Sequence, residues 1–153
     1  MPTTPDTIII ERSLATSPER AFAAWADKDQ RVQWDVPGND WVIHAFEQDF
    51  REDGAEMSRF GPAGAPIAES HGRFLVIEQS RRIVSAGVMR SIDRGEVSSV
   101  TMLTLDFREK GDGTLLTIID QSVFLGSGET ADMRRHGWNA ILDHLDAFLS
   151  LRN

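Results

Sequence analysis

The chain has no cysteine, so it can form no disulfide, no thiolate metal site and no thiol nucleophile. That composition fits a reducing compartment, and a cytoplasmic location is the default expectation. Positive charge is short: 16 Lys and Arg stand against 24 Asp and Glu, a formal net charge of −8. No basic stripe outweighs the carboxylates, which counts against a nucleic-acid partner and against an anionic membrane surface. No apolar run approaches the roughly 20 residues of a membrane-spanning helix, so membrane insertion is not expected. The opening MPTTPDT lacks the basic and apolar regions of a signal peptide. His44, His71, His136 and His144 are scattered, with no His-x-His or His-Glu-x-x-His spacing, and no metal site is expected. No phosphate-loop pattern and no Gly-x-Ser-x-Gly elbow occur, which argues against nucleotide binding by such a loop and against a serine triad. No cofactor is implied, and there is no internal repeat or low-complexity segment.

What is present is ordinary globular material: 153 residues, 41% hydrophobic and 26% charged. That length supports one domain, expected over residues 7–153 after a flexible lead-in at 1–6. The strongest pattern is the stretch 129–151. At about 100° per residue, Met133, Trp138, Ile141, Leu142, Leu145, Phe148 and Leu149 fall on one half of a helix, and Asp132, Arg135, His136, Asn139, Asp143 and Asp146 on the other. Arg134 interrupts the apolar half, and a guanidinium there needs a partner or a route to water.

Upstream, β-branched residues predict a strand over 7–15. Ser17 as cap, Pro18 at the first helical position and Glu19 in the first turn predict a helix to about Ala26. A second short helix is expected over 27–34, with Val32 and Trp34 facing inward. From Trp41 the chain reads as a meander of about six strands, over 41–50, 55–60, 67–78, 82–90, 97–108 and 114–125. In the last of these both faces carry apolar residues, so the register is open between the set Leu116, Ile118, Asp120, Ser122, Phe124 and the set Leu115, Ile119, Val123. The economical packing is an α+β fold: a curved antiparallel sheet of about six to seven strands wrapped around a long C-terminal helix, with two short helices after the first strand.

This order resembles the START-like superfamily, also called the helix-grip, birch-pollen-allergen-like or SRPBCC fold. Local residues are similar to one bacterial branch, named as homologues of the activator of the heat-shock-protein ATPase. The likeness rests on Ser17-Pro18-Glu19-Arg20 with Phe22 and Trp25, on Trp34 followed by Pro37 and Gly38, on Asp49-Phe50-Arg51 with Gly54, and on Gly137-Trp138. The segment 78–82 departs from it, since the branch usually has a proline turn there. The resemblance implies a cavity between sheet and long helix that holds an apolar or amphipathic small molecule, lipid-like or an aromatic metabolite. Other superfamily members are cyclases, dehydratases or hydroxylase domains.

On this frame Trp138, Ile141 and Leu145 are expected to form one cavity wall, and Leu103, Leu105, Leu116 and Ile118 the other. Arg134 either anchors a ligand carboxylate or phosphate, or pairs with a sheet carboxylate such as Asp120. Asp120 is either an acid–base group or the partner of Arg134 near the strand end. His44 either lines the cavity or is a satisfied half-buried residue. Trp34 and Trp41 either form a lid or seal the end of the sheet. A binding module is the leading reading. The alternatives are a cyclase- or dehydratase-type enzyme using Asp120 or His44, and a chaperone-linked interaction protein, as the branch's name implies; the second apolar face of strand 114–125 could equally serve a homodimer.

Overall fold

The computed structural model describes residues 3–126 and 128–151. Strand β1 (Thr4–Leu14) leads into two short helices, α1 (Pro18–Ala26) and α2 (Lys28–Arg31). Then come β2 (Trp41–Gln48), β3 (Ala55–Pro62), β4 (Ala68–Glu78), β5 (Arg82–Ser91), β6 (Glu96–Lys110) and β7 (Gly113–Phe124), and last the helix α3 (Ala131–Leu151). The strands form one seven-stranded sheet in the order β1-β7-β6-β5-β4-β3-β2, with every neighbouring pair antiparallel. This is the α+β helix-grip arrangement expected from the sequence.

Local chemistry places the elements. Ser17 caps α1 by accepting the Arg20 backbone N–H at 3.2 Å, with Pro18 in the first turn. Thr130 does the same for α3, accepting from the Met133 N–H at 3.2 Å. Strand β1 starts at Thr4, opposite Phe124, so residues 4–6 of the expected loose lead-in belong to an edge strand, where Pro5 costs little. Met1, Pro2, Ser127, Arg152 and Asn153 lie outside the described residues.

Two expectations need correction. Helix α2 ends at Arg31, and Val32 is exposed; only Trp34 turns inward. In the turn between β2 and β3, Asp53 takes a positive φ (67°). Glycine is needed at 54 because a Cβ there would lie 2.0 Å from the Asp49 carbonyl oxygen. In β2 a bulge between Ile43 and Ala45 leaves His44 exposed while Phe46 is buried, so His44 neither lines the cavity nor is half-buried.

Strands β4 and β5 come into close backbone contact at a pair of glycines. Gly72 and Gly87 face each other there, and a Cβ on Gly87 would sit 2.2 Å from the His71 carbonyl oxygen. A further bulge lies between Phe74 and Val76. The register of β7 is settled: Leu116, Ile118, Asp120, Ser122 and Phe124 are all buried on the concave side. The C-terminal half of α3 fills one end of the concavity. Leu142, Leu145, Phe148 and Leu149 pack with Leu105, Phe107, Leu116, Ile118, Phe22, Trp25 and Trp34 in one core. Arg12 of β1 fastens the helix from the edge, bonding Asp143 at 3.0 Å and Asp146 at 2.6 Å.

Candidate functional site

The other half of the concavity is open. Between the first turns of α3 and strands β3 to β6 lies a pocket of about 430 Å³ with a mostly apolar lining. Residue size explains why the space exists. Five inward positions of β3, β4 and β5 over this half are Ser58, Ser70, Gly72, Ser85 and Gly87, where a core would carry Leu or Phe. Phe46, Phe60, Met57, Met89 and Trp41 surround this small-residue floor, and Met133, Gly137, Trp138 and Ile141 of α3 form the roof. Gly137 lets the helix approach the 35–40 loop, because a Cβ there would come within 3.3 Å of Pro37 Cβ. His144 holds the same loop, with Nδ1 2.9 Å from the Val36 carbonyl oxygen and Nε2 2.9 Å from Asn39 Oδ1.

Two buried charge networks frame the pocket. At one end the Arg134 guanidinium bonds Glu129 through Nε (2.6 Å) and Nη2 (2.8 Å), and Ser99 through Nη2 (2.6 Å). Its Nη1 reaches Asp120 Oδ2 at 3.0 Å, Thr101 at 3.1 Å and Ser122 at 3.2 Å. All five N–H donors of the fork therefore have protein acceptors. The group also stands over the Phe124 ring, 5.4 Å from its centroid. Asp120 is fully buried and further satisfied by the Trp138 indole N–H at 2.8 Å and the Ser122 hydroxyl. Burial alone would depress the Arg134 pKa; its hydrogen bonds to Glu129 and the nearby Glu129 and Asp120 charges outweigh burial and raise it above the ordinary value.

At the other end Arg31 donates to Asp35 (2.8 Å), Glu56 (2.8 Å) and Gln48 (2.8 Å) and lies 5.3 Å over the Phe46 ring. Here too burial works to lower the guanidinium pKa, and the carboxylates of Glu56 and Asp35 more than reverse it.

Of the residues expected at the site, Arg134, Trp138, Ile141, Leu103, Trp41 and Asp120 do line the pocket. Leu105, Leu116, Ile118 and Leu145 do not: they are buried in the core, below the depth at which the pocket opens. Trp34 is wholly buried against Trp25, with ring centroids 4.6 Å apart. Its indole N–H has no partner among the described residues; buried in the core, Trp34 seals the end of the sheet, and of the two only Trp41 lines the pocket. The β2 bulge turns His44 outward, where it is exposed and bonds the Pro62 carbonyl oxygen at 2.8 Å. Arg134 pairs with Asp120, as one of the two sequence readings had it. Sequence reasoning missed Arg31 and Glu56, although the i, i+4 spacing of Arg31 and Asp35 was a usable signal. It also missed the serine and glycine floor, visible as small residues at alternate positions of β4 and β5.

A sheet curled around a C-terminal helix, filled at one end and hollow at the other, defines a START-like, helix-grip protein. The chain belongs to the family described as activator of Hsp90 ATPase homolog 1-like protein, whose profile matches residues 15–150. Among solved structures it is similar to the Mll3558 protein of Rhizobium loti, at 32% identity over 97% of this chain and 99% of that one, TM-score 0.85. It is also similar to an uncharacterised protein of Rhizobium leguminosarum, at 26% identity over 97% of both chains, TM-score 0.88. An AHSA1-like protein of Aeromonas hydrophila shares the fold at 21% identity, over 96% of this chain and 94% of that one, TM-score 0.72. No curated protein matches the chain. No helix among the described residues is long and apolar enough to cross a membrane.

Proposed function

We propose that the chain is a binding module that holds an apolar or amphipathic small molecule in the pocket between the small-residue floor and α3. The observation that carries this reading is the floor itself. Five inward positions on three adjacent strands hold only serine or glycine, while the same face of the sheet under the other half of α3 is packed with large apolar side chains. A volume of about 430 Å³ lies within the usual range for small-molecule sites, roughly 300–1,000 Å³. Trp138, Ile141, Leu103 and Trp41 supply apolar wall, and the Arg134–Asp120 pair fixes the indole of Trp138 in place.

The neutral fluorescent probe N-phenyl-1-naphthylamine tests this. It should bind the wild-type protein saturably at about one site with a blue-shifted emission, and Ser58→Phe or Ser85→Leu, which fill the floor, should abolish the signal. Equal probe binding by folded floor variants would overturn the reading. Native mass spectrometry of the freshly purified protein would then identify any co-purifying molecule.

A second reading has one observation in its favour. On the convex face Ile9, Val100, Met102 and Val123 are 58, 44, 44 and 36% exposed, and Val100 pairs with Val123 across β6 and β7. This face would serve the protein-interaction or homodimer reading, and sedimentation velocity of wild type against Val100→Lys tests it. Acid–base catalysis is less supported, since both oxygens of Asp120 already accept hydrogen bonds.

A further inference from the structure

The charge of the pocket narrows the class of ligand. Four guanidiniums line it; Arg90 and Arg94 stand exposed at the rim, and the two little-exposed ones, Arg134 and Arg31, are already partnered. Arg134 has protein acceptors for all its N–H groups, and Arg31 is bracketed by Asp35 and Glu56. Neither is the free cation that a ligand carboxylate or phosphate would need.

Four carboxylates face these two cations: Asp120 and Glu129 at one end, Asp35 and Glu56 at the other. Their side chains are at most 19% exposed, so solvent screens them little. Each end of the pocket thus carries about one net negative charge. The rim adds Arg90 and Arg94 against Asp93, all exposed and well screened. At the Arg31 end one oxygen each of Asp35 and Glu56 accepts no hydrogen bond among the described residues.

The hydroxyls of Ser58 and Ser85, residues 9 and 8% exposed, line the same floor and make no hydrogen bond among the described residues. Both residues face the open pocket, so their hydroxyls are available to a polar ligand group. The rings of Trp41 and Phe60, centroids 5.9 Å apart, add aromatic faces that attract a cation and not an anion.

We infer that the pocket selects hydrophobic amines, with a protonated nitrogen toward Asp35 and Glu56, over hydrophobic acids of the same skeleton. This rests on the pocket being a ligand site. The test therefore uses three probes that differ only in the head group: 1-decanol, decylamine and decanoate, at pH 7 and low salt, below their micellar concentrations. Each displaces N-phenyl-1-naphthylamine from the wild-type protein, and isothermal titration gives each Kd.

The expected result is that decanol binds and that decylamine binds at least tenfold more tightly than decanoate. The ratio should shrink in Glu56→Gln and change little with added salt. Decanol binding with an amine-to-acid ratio below tenfold would overturn the charge inference and leave the pocket reading standing. Failure of all three probes to bind would overturn both.

Discussion

Removing the guanidinium at position 134 is the perturbation with the clearest consequence. Arg134→Met keeps an unbranched apolar stem and deletes the charge. Asp120, with no solvent exposure, would then be a buried carboxylate satisfied only by the Trp138 indole and the Ser122 hydroxyl. Glu129, 18% exposed, can swing toward water and relieve part of the loss. Breaking a buried ion pair from one side costs about 3–5 kcal/mol. For a domain of this size that corresponds to a fall in Tm of about 6–20 °C. The double variant Asp120→Asn/Arg134→Met should recover much of the loss, because an amide oxygen can still accept the Trp138 N–H while no buried charge remains. The cycle should therefore show a coupling of about 1–3 kcal/mol between the two positions. Urea unfolding followed by tryptophan fluorescence measures all four proteins, with the slope checked for constancy. A single variant within about 1 kcal/mol of wild type, or a double variant that loses the sum of the two singles, would refute the claim that this pair is a closed buried unit.

Other expectations follow from particular contacts. Leu145→Ala, in the filled half of the concavity, should cost about 2–5 kcal/mol by chemical denaturation, whereas Met133→Ala at the pocket rim should stay within about 0.5 kcal/mol. Gly54→Ala should destabilise by more than about 1 kcal/mol, since its Cβ would sit 2.0 Å from the Asp49 carbonyl oxygen; a neutral thermal shift would contradict that geometry. Ser85→Leu should leave Tm unchanged or higher, because it fills space instead of displacing atoms, and a large loss of stability would mean the floor is already packed.

The fold was largely legible because its signals are local and redundant. Ser17-Pro18-Glu19 can only start a helix, the wheel of α3 has one apolar half, and the hairpin of β6 and β7 shows an apolar alternation on each strand. The site was legible in part. Arg134 stood out because a charge on an apolar helix face violates the pattern, and Asp120 because it interrupts an apolar strand; the structure joins the two. What did not read out was depth. Leu105, Leu116, Ile118 and Leu145 share a face with the pocket residues, and alternation reports the face of a strand, not the position along it at which a cavity begins. His44 was misplaced because one bulged residue inverts the alternation, and a bulge at Ile43–Ala45 leaves no compositional mark. Trp34 could not be told from Trp41 by type; the early end of α2 sends one into the core and leaves the other at the mouth.

The measurement closest to the central claim is an amide and indole chemical-shift titration of ¹⁵N-labelled protein with 1-decanol. Saturable shifts are expected at Ser58, Ser70, Ser85, Gly87, Gly137 and the Trp138 indole, with the convex-face residues Ile9, Val100 and Met102 unmoved. Shifts confined to the convex face, or none at all near the solubility limit of decanol, would contradict that claim.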